Sequence, residues 1–467
     1  MMTFLIQKDF FQLTPIQNAY QVLPLESMDG REEYRAMYMG KERVGFSFNA
    51  LEKKGVQNEG SFELRHQTYL SFLFLGQERE MLIRGKARLD STLNLQIFRV
   101  RISSGDYWTR ITGQIAKNNL NLVIENKEGP PVRKIIPLNG PLFFSEALNF
   151  IWMPENLKIG KKGRVNVWNP LMTNLQPIDF HVTHKTRISY DGKDVEVYVA
   201  ELDMGGILTH VWVDPAGTVL KEESPTGLTL KKEYAWQIFD AMRERRSSPP
   251  DLPNLYSVPS NEILKNPKKL HFLKVEIKQP EGEKIQEIKK ENLDDLKELR
   301  LPLEINATEF SPYLEDSPWV SSKDPEITKQ AKEIVGDEKS ALTASLKILT
   351  WVHQNILPVP TMGIPQAREV LAAKRGDCNE YTVLFTALTR ATGIPTKMIA
   401  GLVYQNGRFF YHAWPEVYLG RWIALDPTFG EAPANVTHIT LVEGDAQDQL
   451  ALVNQLGKIK IFILESK

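Results

Sequence analysis

Lys374-Arg375-Gly376-Asp377-Cys378-Asn379-Glu380-Tyr381 holds the single cysteine of this 467-residue chain. Beyond it, Val383, Leu384, Ala387, Leu388 and Ala391 recur at helical spacing, and Gly393 and Pro395 close the run. Asp377 is the natural N-cap, which puts Cys378 in the first turn. Unpaired backbone N–H groups and the positive end of the helix dipole favour a thiolate there, and the thiolate is the nucleophilic form. Arg375 adds positive charge, and Gly376 lets the chain turn tightly before the helix. A lone cysteine is most often an inert, buried small hydrophobe. Only a base, and a group to orient that base, would lift Cys378 out of that class.

His412 lies in Arg408-Phe409-Phe410-Tyr411-His412-Ala413-Trp414-Pro415-Glu416-Val417, and Asp426 ends Arg421-Trp422-Ile423-Ala424-Leu425-Asp426. The two stretches read as strands joined at Gly420. Paired positions in such a hairpin sum to roughly 840. His412 and Asp426 fall within a few positions of that sum, which makes them near neighbours across the ladder. The carboxylate can then hold the imidazole in the tautomer that faces a thiol. Singly, His412 is a satisfied strand histidine and Asp426 a turn aspartate before proline. With a cysteine at a helix N-terminus they make a constellation.

Four stretches carry a resemblance. They are Arg375–Glu380, Ala391-Thr392-Gly393-Ile394-Pro395-Thr396, Tyr411-His412-Ala413-Trp414-Pro415-Glu416-Val417, and Trp422-Ile423-Ala424-Leu425-Asp426-Pro427-Thr428. Across about Asp324–Leu441 the chain resembles the transglutaminase-like superfamily, a papain-like fold with many bacterial members. The resemblance implies a catalytic triad, with Cys378 as nucleophile, His412 as general base and acid, and Asp426 as orienter. Many bacterial members carry Ala-Asp before a Thr-His-Ile segment. Here Ala434-Asn435-Val436-Thr437-His438-Ile439 stands in its place, read as a structural variation beside an intact triad. Peptide N-glycanases share the residue order but carry zinc-binding cysteine pairs, which one cysteine excludes. Arylamine acetyltransferases need a coenzyme A site, for which the sequence gives no signal. No metal or other cofactor is implied.

The expected fold class is α+β: an antiparallel β-rich domain at 31–245, a linker at 246–262, and a transglutaminase-like domain at 263–467 with its core at 324–441. Tyr34–Gly40 and Arg43–Asn49 read as a hairpin, as do Thr68–Leu75 and Glu80–Arg84 around Gly76-Gln77. Short strands continue to Leu220, as in an antiparallel sheet or half-barrel. Helices are expected at Phe144–Trp152 and Lys231–Met242. Arg245-Arg246-Ser247-Ser248-Pro249-Pro250 marks the boundary, and Leu270–Ile277 reads as a strand. Asp324 and Pro325 start a helix that Gly336 ends, Asp337 caps the next, and Pro365–Lys374 is a shorter one.

Lys+Arg 57 against Asp+Glu 58 leaves a net charge of −1, so no global field attracts nucleic acid or an anionic membrane. No apolar run reaches the ~20 residues of a membrane span. The N-terminal stretch lacks a leader's charge pattern, so the chain reads as soluble. The doubled Met1-Met2 leaves export open if a native leader has been replaced. His181 and His184, three apart on a strand, should face opposite ways and make a poor metal pair. Glu443–Asp448 reads as a solvated loop rather than a calcium loop, and Glu380 as a dipole complement. Trp414 and Trp422 fit either an acyl cleft or core packing.

The leading functional expectation is acyl transfer on an amide of a protein or peptide substrate. An amine acceptor gives cross-linking, and water gives deamidation or proteolysis. The rival is a non-catalytic binding or assembly module whose β-rich half is the partner-binding surface. Oligomeric state is not legible.

Overall fold

The computed structural model describes residues 31–54, 61–74, 77–105, 107–127, 131–150, 152, 157–169, 174–204, 207–243, 251, 257–280, 282–303, 307–317, 319–359, 366–444, 452, 455 and 457–467. The chain divides into two compact units, Met1–Asp251 and Leu252–Lys467. Of the described residues 52% are in strands and 20% in helices, so they are mostly β, more so than the α+β expectation.

Among the described residues the first unit is one 15-stranded sheet. Arg31–Met39 stands in its middle, pairing with Glu42–Lys54 on one side and with Leu228–Glu233 on the other. One arm meanders in chain order to Val132–Pro137, and the other ends at Lys162–Asn169 and Phe143–Phe144. All described pairs are antiparallel except that last one. The arms share a core: Phe98 packs against Phe144 at 5.4 Å and Trp168 at 5.9 Å between ring centroids. A Cβ on Gly113 would lie 2.1 Å from the Phe98 ring, so only glycine fits under it. The outer face is partly covered by the helix Ala235–Arg243, whose Ile238 is buried against Phe46, Phe48 and Tyr69.

Several expectations change in detail. The strand Leu228–Glu233 occupies the start of the expected Lys231–Met242 helix, because Leu228 and Leu230 pair with Met39 and Met37. Phe144–Trp152 holds a short 3-10 helix at Ser145–Phe150. Leu75 and Gly76 of the second expected hairpin turn lie outside the described residues. The histidine pair is corrected by a β-bulge between Val182 and His184. His181 pairs with Glu201 and His184 with Val199, two residues apart on one strand, so the bulge turns both histidines to the same face. In that arrangement His184 Nδ1 bonds the Thr183 hydroxyl at 2.9 Å.

In the second unit, Pro325–Val335, Ala341–Asn355 and Ala367–Ala373 pack around a central helix, Cys378–Ala391. Asp324 caps the first helix by accepting the Glu326 N–H at 2.9 Å, and Gly336 ends it at φ 62°. The next helix is capped by Ser340, not Asp337, because its hydroxyl is placed to accept the Thr343 N–H. Ala367–Ala373 occupies the expected Pro365–Lys374 segment, whose Pro365 lies outside the described residues.

Against the central helix stands an antiparallel sheet in the order Val258–Pro259, Arg408–Tyr418, Thr396–Gln405, Ile439–Glu443, with Trp422–Ala424 on Arg408–Tyr418. Val258–Pro259 therefore belongs to this unit although the expected linker at 246–262 included it. Residues 246–250 and 252–256 lie outside the described residues. A separate sheet joins Gly282–Lys289, Phe272–Gln279 and Lys460–Ser466. Among the described residues no helix is long and apolar enough to cross a membrane.

Gly401 fixes how closely this sheet closes. It pairs with His412 on one side and Thr440 on the other. A Cβ there would lie 2.1 Å from the Ile439 carbonyl oxygen and 2.6 Å from the Trp414 ring. Neither can yield cheaply, since one is backbone and the other a buried indole. Gly401→Ala is expected to lower stability by about 1–3 kcal/mol, the usual scale of overpacking, read as a lower urea midpoint.

Candidate active site

Asp377 caps the Cys378 helix through a reciprocal box. Its carboxylate accepts the Asn379 N–H at 3.0 Å, and Glu380 Oε2 accepts the Asp377 N–H at 2.8 Å. Glu380 is thus buried as part of the cap, a more specific role than dipole complement. A Cβ on Gly376 would lie 2.0 Å from that of Glu380, which is why glycine precedes the cap.

The cap fixes Cys378 at the helix start, partly exposed. The Ala413 backbone N–H bonds its sulfur, which brings the thiol beside the strand that carries His412. Burial nevertheless pushes the thiol well above its ordinary value, and the carboxylates of Asp377, Glu380 and Asp426 push the same way. The expected lowering at a helix N-terminus is therefore reversed. Burial and three carboxylates oppose the dipole, and the Ala413 N–H offsets only part.

The hairpin register is Glu416↔Ala424, Val417↔Ile423 and Tyr418↔Trp422. The chain then leaves the ladder. Asp426 and Glu431 exchange two backbone hydrogen bonds of 2.9 Å, closing a loop over Pro427–Gly430. His353, from the helix Ala341–Asn355, braces that loop through Nδ1 to the Pro427 carbonyl at 3.0 Å.

This bend brings the Asp426 carboxylate, completely buried, to His412 Nε2 at 2.7 Å. His412 Nδ1 takes no part in that bond. Two rings lie nearly parallel to the imidazole, Phe429 at 4.9 Å and Trp414 at 6.0 Å, and fix its plane. Trp414 is accordingly a packing residue. Trp422 instead joins Phe310, Tyr313 and Tyr418 in a partly exposed aromatic group under Lys397.

Asp426 has more partners than the sequence indicated. Oδ1 accepts the Thr428 and Phe429 N–H groups at 2.8 and 3.1 Å. Oδ2 takes, besides His412, the Nε2 of His438 at 2.9 Å. Burial alone would push this carboxyl up, but His412 and His438 hold it well below the usual carboxylate range. His438 was visible only as part of the Thr437-His438-Ile439 segment, with no periodicity to connect it to Asp426.

The Asn435 variation explains itself locally. Its side-chain oxygen accepts from the Thr437 N–H at 3.0 Å and hydroxyl at 2.6 Å, and its amide donates to Glu431 at 2.7 Å. An aspartate would accept the same two bonds but set a second carboxylate against Glu431.

His412, Asp426 and His438 are the one group among the described residues whose metal-ligating atoms lie within 4.8 Å of one another. Both imidazole Nε2 atoms there bond the same Asp426 oxygen. Glu443, from the expected acidic loop, accepts from Lys397 at 2.8 Å, and 445–448 lie outside the described residues.

No curated protein matches the chain. Among solved structures, similarity is found to a candidate cysteine protease from Cytophaga hutchinsonii, at 14% identity, TM-score 0.32, over 67% of this chain and 79% of that one. Another is a β-barrel-like protein of unknown function from Brucella abortus, at 9% identity, TM-score 0.30, over 44% and 94%. At these scores neither likeness bears on fold or function. The model of the Transglutaminase-like superfamily matches residues 328–427, which span the helix of Cys378 and both His412 and Asp426, and the second unit of this chain carries a transglutaminase-like domain.

Proposed function

We propose that the second unit is a cysteine acyl-transfer enzyme acting on an amide of a protein or peptide, with Cys378 as nucleophile, His412 as base and acid, and Asp426 as orienter. The observation that carries this reading is the bond from His412 Nε2 to the buried Asp426 carboxylate. It fixes the tautomer and leaves Nδ1 as the nitrogen able to exchange a proton, on the strand whose Ala413 N–H bonds the Cys378 sulfur.

Burial and the neighbouring carboxylates favour the protonated thiol, so the reaction begins with transfer of its proton to His412 Nδ1 as the sulfur attacks the carbonyl carbon. The carbonyl π bond opens onto oxygen. The Cys378 N–H, unpaired by its position at the helix start, is the natural first donor to that oxygen. Collapse breaks the C–N bond, and His412 returns the proton to the departing amine, leaving a thioester. An acceptor then gives its proton to His412 and attacks the thioester, and the thiol is regenerated. An amine acceptor yields a new amide, and water yields an acid.

Thiol alkylation over a pH series tests the reading, and the single cysteine makes the signal unambiguous. Wild type and His412→Ala are expected to differ in both rate and pH dependence. A thiol that titrates near its unperturbed value of about 8.5 and ignores His412→Ala would sink the proposal. Amine incorporation measured against peptide cleavage then separates transferase from hydrolase.

A further inference from the structure

His438 presents both ring nitrogens to oxygens that can only accept. Nε2 is 2.9 Å from Asp426 Oδ2, and Nδ1 is 2.9 Å from the Asn435 backbone carbonyl. A neutral imidazole carries one N–H, so it would leave a lone pair facing one of these oxygens. The imidazolium fills both contacts. Its side chain is only 2% exposed and Asp426 is fully buried, so no water replaces a missing donor cheaply. The titratable groups in direct contact with it are Asp426 and His412, whose ring centroid lies 5.8 Å away, and Lys284 reaches the carbonyl of Thr440, two residues on along the same chain segment. Trp414 meets it edge-on at 5.0 Å and contributes no charge that titrates.

We propose that His438 is a positioning residue that carries a positive charge, neutralises Asp426, and so keeps His412 an uncharged base in the resting site. This rests on the acyl-transfer reading. A carboxylate with one histidine partner stabilises that histidine's imidazolium, and with it a resting thiolate–imidazolium pair. Here the carboxylate is already matched. A proton added to His412 would leave the buried trio with one uncompensated positive charge. Cys378 and His412 therefore rest as thiol and imidazole, and the proton moves only as the sulfur attacks. The carboxylates around the thiol favour the same resting form.

Two measurements on the full chain test this. The first is nitrogen-15 spectroscopy of histidine-labelled wild type near neutral pH. Its His438 signals are assigned through His438→Gln or, should that variant not fold, by removing the other histidines in turn. Two protonated nitrogens are expected, and one bare nitrogen overturns the proposal. The second is the pH profile of Cys378 alkylation by iodoacetamide in wild type, His438→Gln and His438→Gln/His412→Ala. Glutamine keeps a donor for Asp426 but not the charge. Its acid limb is expected to fall by about one pH unit or more, the scale set by a neighbouring unpaired charge, and the second substitution should abolish that shift. An unmoved limb in His438→Gln, with the His412 dependence intact, also overturns the proposal. Alkylation indifferent to His412 at every pH defeats the acyl-transfer reading instead, while the nitrogen signals still decide the charge on His438.

Discussion

Cys378→Ala is expected to remove amine incorporation and peptide cleavage together, by a factor on the order of 10⁴–10⁶, the usual cost of deleting a member of a catalytic unit. Cys378→Ser should lose nearly as much. A hydroxyl holds its proton far more tightly than a thiol, and His412 has no stronger base behind it than a carboxylate. Neither change should cost the fold much. Cys378 is partly exposed, and the substitution removes a single atom from the start of the helix, so the expected change is within about 1 kcal/mol. That contrast separates the two functional classes. An enzyme loses turnover and keeps its unfolding midpoint. A binding or assembly module keeps its partner and shows no turnover to lose. The comparison needs substrate panels containing both amine acceptors and cleavable peptides, since the acceptor decides which product forms.

What could be read from the sequence follows how local each interaction is. The Asp377 cap spans three residues and was legible from residue type and spacing. The nearness of His412 and Asp426 was legible to within a few positions because one short turn at Gly420 sets the hairpin register, while the bend that completes the contact was not. His438 was not legible as a partner. It reaches Asp426 only because Asp426 and Glu431 close a loop and Asn435 turns the chain back. The direction of the thiol shift failed for the same reason. The helix end is a local feature, whereas Asp426, which opposes it, arrives through the tertiary fold.

The first unit shows the same division. Adjacent hairpins were legible within a few residues of their ends. The pairing of Arg31–Met39 with Leu228–Glu233, nearly the whole unit apart in sequence, was not. The bulge at Thr183 carries no glycine to announce it, so alternation alone put His181 and His184 on the wrong faces.

Asp426→Ala should be the most damaging single substitution in the second unit. It removes the one acceptor shared by His412, His438 and the Thr428 and Phe429 N–H groups. Both histidines are buried and the two amides partly so, so the loss leaves donors without their acceptor and removes the carboxylate between the two imidazoles. Breaking a buried ionic arrangement on one side costs about 3–5 kcal/mol, a large share of the ~5–15 kcal/mol that a domain typically has. The pH dependence carries a further signature. The folded Asp426 carboxyl lies below its unfolded value, about 3.9 for a free aspartate. Its contribution to stability is therefore complete above that unfolded value and lost as pH falls towards the folded one. Wild type should lose urea resistance as pH drops below about 4, and Asp426→Ala should start lower and lack that share of the slope. Amide exchange at Thr428 and Phe429 localises the effect, because both amides lose their acceptor. Unchanged exchange there, together with an unchanged urea midpoint, would show that this carboxylate does not hold the site together. Activity should fall with the fold or ahead of it, since His412 freed from Asp426 no longer has its tautomer fixed, and a ring with its proton on Nδ1 cannot accept one from Cys378.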